Sequence, residues 1–301
     1  MTSTASSTSA RRASEPSAGL AVLATGLRKR YGTRQALAGV DLHVDRGELV
    51  ALLGPNGSGK TTTIEILEGF RTPDSGTVRV LGEDPATAGR RWRSRLGVVG
   101  QDSDDRAEVT VSEAVRDTAR CYPDPVDPDG VIDAVGLRQQ ADVRVRRLSG
   151  GQRRRLDVAR GIVGRPELLF LDEPTTGWDL RARHDFRDLC RRLRAAGTTI
   201  LLTTHDLHEA AALADRVVVM LGGRVLAEGT PDTLGGQDAR TPVVGWTVDG
   251  VEHGRRTPAP TALVSRLAAA VGHGGEIPDL CVTRPGLEDV YLALVGPEDV
   301  R

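Results

Sequence analysis

The run GPNGSGKT, Gly54 to Thr61, constrains this chain more than any other stretch, because it follows the apolar segment GELVALLG and precedes the helix-forming TTTIEILEGF. A strand that ends in a glycine-rich turn and hands over to a helix aims several backbone N–H groups and a helix N-terminus at one spot, which suits phosphate. Gly57 and Gly59 permit a close backbone approach, while Gly54, Pro55, Asn56 and Ser58 complete the loop. Lys60 supplies an ammonium for β- and γ-phosphate oxygens, Thr61 a hydroxyl for magnesium, and Thr62 a further donor. The loop by itself implies nucleotide binding and leaves kinases, GTPases and helicases undivided.

Composition narrows the classes. With 301 residues and 39% hydrophobic content, the chain can hold one large domain and a smaller appendage. Lys+Arg at 40 nearly cancels Asp+Glu at 41, so no long-range field steers it to nucleic acid, and no nucleic-acid partner is expected. Lysine occurs only at Lys29 and Lys60, the second inside the glycine loop. Cys121, Cys190 and Cys281 are odd in number and widely spaced, the pattern of reduced thiols in a cytosolic protein. Residues 1–18 carry Arg11 and Arg12, but Glu15 and Pro16 interrupt any export signal, so a disordered tail is expected. No run approaches the ~18 apolar residues a spanning helix needs, so membrane contact is expected to be peripheral, at the cytoplasmic face.

Short β-like runs fill Leu20 to Leu53, and DSGTVRVLGED predicts a strand pair turning at Asp74 to Gly76. After the strand LGVVG come the helix-forming runs TVSEAVRDTARCY, DGVIDAVGL and GQRRRLDVARGIVG, which read as a helical insertion over about 102–161. ELLFLDEP, TTILLTTH and RVVVMLGGRV then resume the apolar pattern of a buried parallel sheet. The expected domain spans 19–224. Past it, 225–301 predicts a hairpin at VVGWTVDGVEHG, a helix near Ala262 to Ala270 and a last helix in LEDVYLALV.

Two further motifs carry chemistry. In LSGGQ, Leu148 to Gln152, Ser149 is placed to cap a helix while Gly150 and Gly151 leave backbone amides bare to an anion. In LLFLDEP, Asp172 ends an apolar strand, where a carboxylate suits magnesium, and Glu173 is placed to polarise water as a general base.

With LSGGQ standing between the glycine loop and the LDEP strand, the chain resembles the ABC ATPase family over roughly Leu20 to Arg224. The resemblance implies an α/β P-loop NTPase with a RecA-like core, an antiparallel β subdomain, an inserted α-helical subdomain and a small C-terminal region. It implies ATP and Mg2+ as ligands. It also implies a switch histidine at His205, a magnesium-linking glutamine at Gln101, an adenine-stacking aromatic at Tyr31 and a dimer-crossing loop TTGWD ending at Asp179. Trp178 stands where the family usually has leucine. In the implied cycle two cassettes sandwich two ATPs, each site taking Ser149, Gly150, Gly151 and Gln152 from the opposite subunit, so a homodimer joined to integral-membrane permease subunits is expected. The ending PGLEDVYLALVG resembles that of drug- and polysaccharide-exporter cassettes. An importer cassette would share every catalytic residue, and a soluble non-transport ATPase commonly carries two cassettes or a long coiled coil.

Three look-alikes are set aside. TLGGQ, Thr233 to Gln237, lacks the serine and reads as a loop. Asp102, Asp104 and Glu113 fit an EF-hand in part, but Ala107 occupies the required glycine. The arginines of RRLSGGQRRR and RWRSR read as solvated or partner-facing surface.

Overall fold

The computed structural model describes residues 19–100, 108–272 and 275–296. Its first part holds β1 (Leu20–Tyr31), β2 (Arg34–Asp45), β3 (Leu49–Leu53), α1 (Lys60–Leu67), β4 (Ser75–Val80), α2 (Arg90–Arg93) and β5 (Leu96–Val99). A helical stretch follows: α3 (Val111–Ala119), α4 (Pro128–Ala134) and α5 (Gly150–Ile162). Then come β6 (Leu168–Asp172), α6 (Leu180–Ala195), β7 (Thr199–Thr203), α7 (Leu207–Leu213), β8 (Arg216–Leu221) and β9 (Arg224–Gly229). The chain closes with α8 (Gly236–Ala239), β10 (Val243–Val248), β11 (Val251–Arg256), α9 (Pro260–Val271), β12 (Cys281–Thr283) and α10 (Leu287–Val295).

Strands β3, β6 and β7 are buried along their whole length, so both faces of their sheet are covered. Such strands carry unbroken apolar runs and pair in parallel, since helical crossovers must roof both sides. The six strands lie in the order β5-β6-β7-β3-β8-β9, parallel except for the edge strand β9. Strand alternation splits the core. Val50, Leu52, Phe170, Leu201 and Met220 face one way and pack under the antiparallel sheet β2-β1-β4 and α1. Leu49, Leu169, Leu171, Ile200 and Leu202 face the other way, against α3, α5 and α6. Each such fully buried side chain contributes roughly 1.5–3 kcal/mol.

The helical stretch begins where short polar side chains satisfy free N–H groups. Thr110 and Ser149 form capping boxes with Glu113 and Gln152, and Asp127 caps α4 ahead of Pro128. Helix α5 lies so close to β5 that both contacts are glycine: a Cβ on Gly97 would stand 2.2 Å from the Gly161 carbonyl oxygen, and one on Gly161 2.6 Å from Val99 Cγ2.

Three expectations are corrected. The segment from Asp74 forms one strand, β4, which pairs with β1; Asp74 accepts from the Arg30 backbone N–H and from Lys29 Nζ, tying the turn to β1. The six-stranded sheet continues past residue 224, because β9 starts at Arg224 and pairs with β8. The loop expected at Thr233 to Gln237 is cut short: 233–235 form a turn in which Leu234 is fully buried, and Gly236 starts α8. Leu287, Val290, Tyr291 and Val295 of α10 share a core with Ala51, Leu53, Val217 and Val219, so the last helix covers the remaining face of β3 and β8.

Candidate functional site

Adjacent strands β6, β7 and β3 end on the same side of the sheet, and their carboxyl ends deliver Asp172 and Glu173, Thr203 to His205, and the loop 54–61. Crevices beyond the carboxyl ends of parallel strands are where such sheets bind ligands.

The loop is shaped by backbone that only glycine tolerates. Gly54 (φ 155°), Gly57 (φ 81°) and Gly59 (φ 105°) all lie at positive φ, and a Cβ on Gly54 would stand 2.3 Å from the Met220 carbonyl oxygen. Lys60 is buried, and its Nζ donates to the carbonyls of Gly54 (2.6 Å) and Pro55 (3.1 Å). Burial pushes its amine below the ordinary lysine value, against the opposing pull of the Glu173 and Asp172 carboxylates. The Ser58 hydroxyl is buried with no partner among the described residues. Thr61 is exposed and Thr62 half-buried on the first turn of α1.

Asp172 is held from two sides. The Thr203 hydroxyl donates to Asp172 Oδ1, and the buried Arg154 guanidinium donates to the carbonyls of Asp172 and Gly100. Glu173 departs from β6 in the left-handed region (φ 53°), a conformation costing a non-glycine residue roughly 1–2 kcal/mol. Its N–H is fixed by Thr203, to the carbonyl and the side-chain oxygen, both at 3.1 Å. The turn aims the carboxylate at His205, whose Nδ1 meets Glu173 Oε2, with the Thr176 hydroxyl 3.5 Å away. The His205 ring is otherwise exposed.

A cleft of about 1350 Å3 gathers Gly54, Pro55 and Asn56 with Glu173, His205, Asp179 and the Ser149 to Gln152 segment. Ser149 caps α5 through its hydroxyl, which accepts from the Gln152 N–H (3.3 Å), and Asp179 caps α6 by accepting from the Ala182 N–H (2.8 Å). Tyr31 lies elsewhere, exposed at the end of β1 with the Arg71 guanidinium 5.3 Å from its ring centre. Gln101 is outside the described residues, as are Asp102 and Asp104.

Sequence reasoning passed over several contributors. Arg154, read as solvated or partner-facing surface, is buried, and the i, i+4 spacing Arg154-Val158-Ile162 places it on the core face of α5. Thr203 was hidden in an apolar run. Glu209 is buried on α7, its carboxyl raised by burial, with the hydroxyls of Thr204 and Thr175 opposing that rise. Glu288, Tyr291 and Leu292 of α10 line the far wall of the cleft, which no local motif announces.

The family model described as ABC transporter matches residues 37–176. The Nod factor export ATP-binding protein I of Ralstonia nicotianae is 42% identical, over 91% of this chain and 93% of that protein. The daunorubicin/doxorubicin resistance ATP-binding protein DrrA of Streptomyces peucetius is 38% identical, over 93% of this chain and 94% of that protein. Among solved structures, one of an ATP-binding subunit of an ABC transporter superposes with a TM-score of 0.66 at 28% identity, covering 73% of this chain and 91% of the other.

Proposed function

The chain belongs to the ABC transporter family of ATP-binding proteins, and on that premise we propose that it is the ATPase subunit of an exporter whose membrane permease is a separate chain. The family hydrolyses ATP to power transport, and its cassettes work as dimers with membrane partners. Among the described residues no helix is long and apolar enough to cross a membrane. Export is favoured over import because the relatives named for export and drug resistance match this chain over nearly its whole length.

The observation that carries the hydrolytic reading is the contact of Glu173 with His205, beside Asp172 and the Lys60 loop, at three neighbouring strand ends. Glu173 takes the proton of a water as its oxygen attacks the γ-phosphorus, and the bond from that phosphorus to the β–γ bridging oxygen breaks, its electron pair leaving on ADP. Lys60 and the loop amides meet the charge that develops on the leaving phosphates. His205 holds the Glu173 carboxylate in place.

The residues present fit magnesium: Asp172 brings a hard carboxylate oxygen beside the Thr203 hydroxyl, and Thr61 offers another oxygen. Among the described residues no group of three or more His, Cys, Asp or Glu forms a cage, the pattern of an ion that leans on substrate phosphates. Thr61, Asp172 and Gln101 would hold the ion, which neutralises phosphate charge when bound.

Because Ser149 to Gln152 would meet the nucleotide of the opposite subunit, hydrolysis should need a pair of chains, here a homodimer. Purified protein is assayed with MgATP across a range of protein concentrations. Specific activity should rise with concentration, and Glu173→Gln should abolish turnover while retaining ATP. Concentration-independent activity, or near-normal turnover in Glu173→Gln, would overturn the reading.

A further inference from the structure

The residue that departs from the family's leucine, Trp178, lies between the two segments this chain would extend to a partner. Its indole faces Arg155 of α5, with the guanidinium carbon 5.3 Å from the ring centre, and meets Phe186 of α6 edge-on at 5.4 Å. A second amine of the same Arg155 stands 3.8 Å from the Asp179 carboxylate. On the other side, a Cβ on Gly151 would lie 3.5 Å from the Gly177 carbonyl oxygen and 3.9 Å from Trp178 Cδ1, so loop and helix stand about one methyl group apart. Among the described residues neither Trp178 Nε1 nor Arg155 Nε has a hydrogen-bond partner, so the ring face and the charge make the junction.

We propose that Trp178 is a positioning residue: stacked on Arg155, it locks the loop 175–179 to the N-terminal turns of α5, so that Ser149 and Asp179 reach the second cassette's nucleotide as one rigid piece. This rests on the composite-site reading above. A leucine at 178 packs against Phe186 with a smaller side chain and offers no π-face to the guanidinium. The loop and the helix then move independently, and closing onto the opposite nucleotide must order both. Preorganisation of this kind lowers the cost of association without touching the chain's own phosphate loop.

The experiment uses the full chain carrying Glu173→Gln, where ATP-bound pairs accumulate, with dimer formation followed by sedimentation against ATP concentration. Trp178→Leu and Arg155→Met should each weaken ATP-dependent dimerisation about tenfold, while fluorescent-ATP binding to the monomer stays within twofold. The double variant should be no weaker than either single, because both remove the same junction, and Trp178→Phe should restore most of the affinity. Arg155→Met keeps the Trp178–Phe186 packing, so it tests the junction even if Trp178→Leu loosens α6. Unchanged dimerisation in Arg155→Met, or additive losses in the double variant, would overturn the proposal. Absence of any ATP-dependent dimer in the Glu173→Gln parent would overturn the composite-site reading itself, and the proposal with it.

Discussion

His205 Nδ1 closes on Glu173 Oε2 across the ends of β6 and β7, and the backbone that makes the contact possible is Glu173 itself, in the left-handed region at φ 53°. Local strain is thus concentrated on the proposed general base and held there by Thr203.

His205→Ala should therefore cut ATP turnover roughly 100-fold, at the low end of what a positioned acid–base group supplies. ATP affinity should stay near that of the parent, because the phosphate loop is untouched. Steady-state hydrolysis beside equilibrium nucleotide binding checks this; loss of both together would place His205 in binding instead.

Thr203→Val keeps the shape of a buried side chain and deletes a hydroxyl serving both Asp172 and the Glu173 N–H. Leaving the Asp172 oxygen without that donor costs about 1–3 kcal/mol, while the Glu173 N–H keeps the Thr203 carbonyl. We expect a lower thermal midpoint and a higher magnesium concentration for half-maximal activity. A shift in the midpoint alone would mean that Thr203 is only structural.

Glu68, at the end of α1, has its carboxyl pushed from the usual 4.5 up to about 8, by burial first and then by Asp172 and Glu65. Between those values the folded chain holds a proton that the unfolded chain has released, so this residue makes stability fall as pH rises from about 4.5 to about 8. Glu68→Gln should match the parent near pH 4.5 and melt at increasingly higher temperature than it toward pH 8. A constant difference across that range would show that Glu68 does not titrate there.

Gly97→Ala places a methyl 2.2 Å from the Gly161 carbonyl, a backbone atom that cannot rotate away. Overpacking of this sort costs typically 1–3 kcal/mol. The urea midpoint should drop with the slope unchanged, and Gly89→Ala, with open space around the added carbon, should leave it in place.

What could be read from the chain was whatever is written within a few residues. The strand-loop-helix around Gly54 and the Ser149 cap are local patterns, and they fold as read. Arg154 was misread because its role depends on which face of α5 meets the sheet, a tertiary fact expressed only faintly in the spacing of Val158 and Ile162. Thr203 was invisible because its partner lies 31 residues away on a neighbouring strand. The stack of Trp178 on Arg155 needed the helical layer to be folded back against the loop before it could be seen.

The core shared by Leu53 and Val290 bears on when the site can pack during synthesis. Leu53 is the last residue of the strand that launches the phosphate loop, yet part of its cover is made only when the chain has grown past Val295. A nascent chain on the ribosome therefore has only the α7 and Leu234 part of the cover over β3 and β8 until α10 has been made, and the packing behind the phosphate loop waits for that helix.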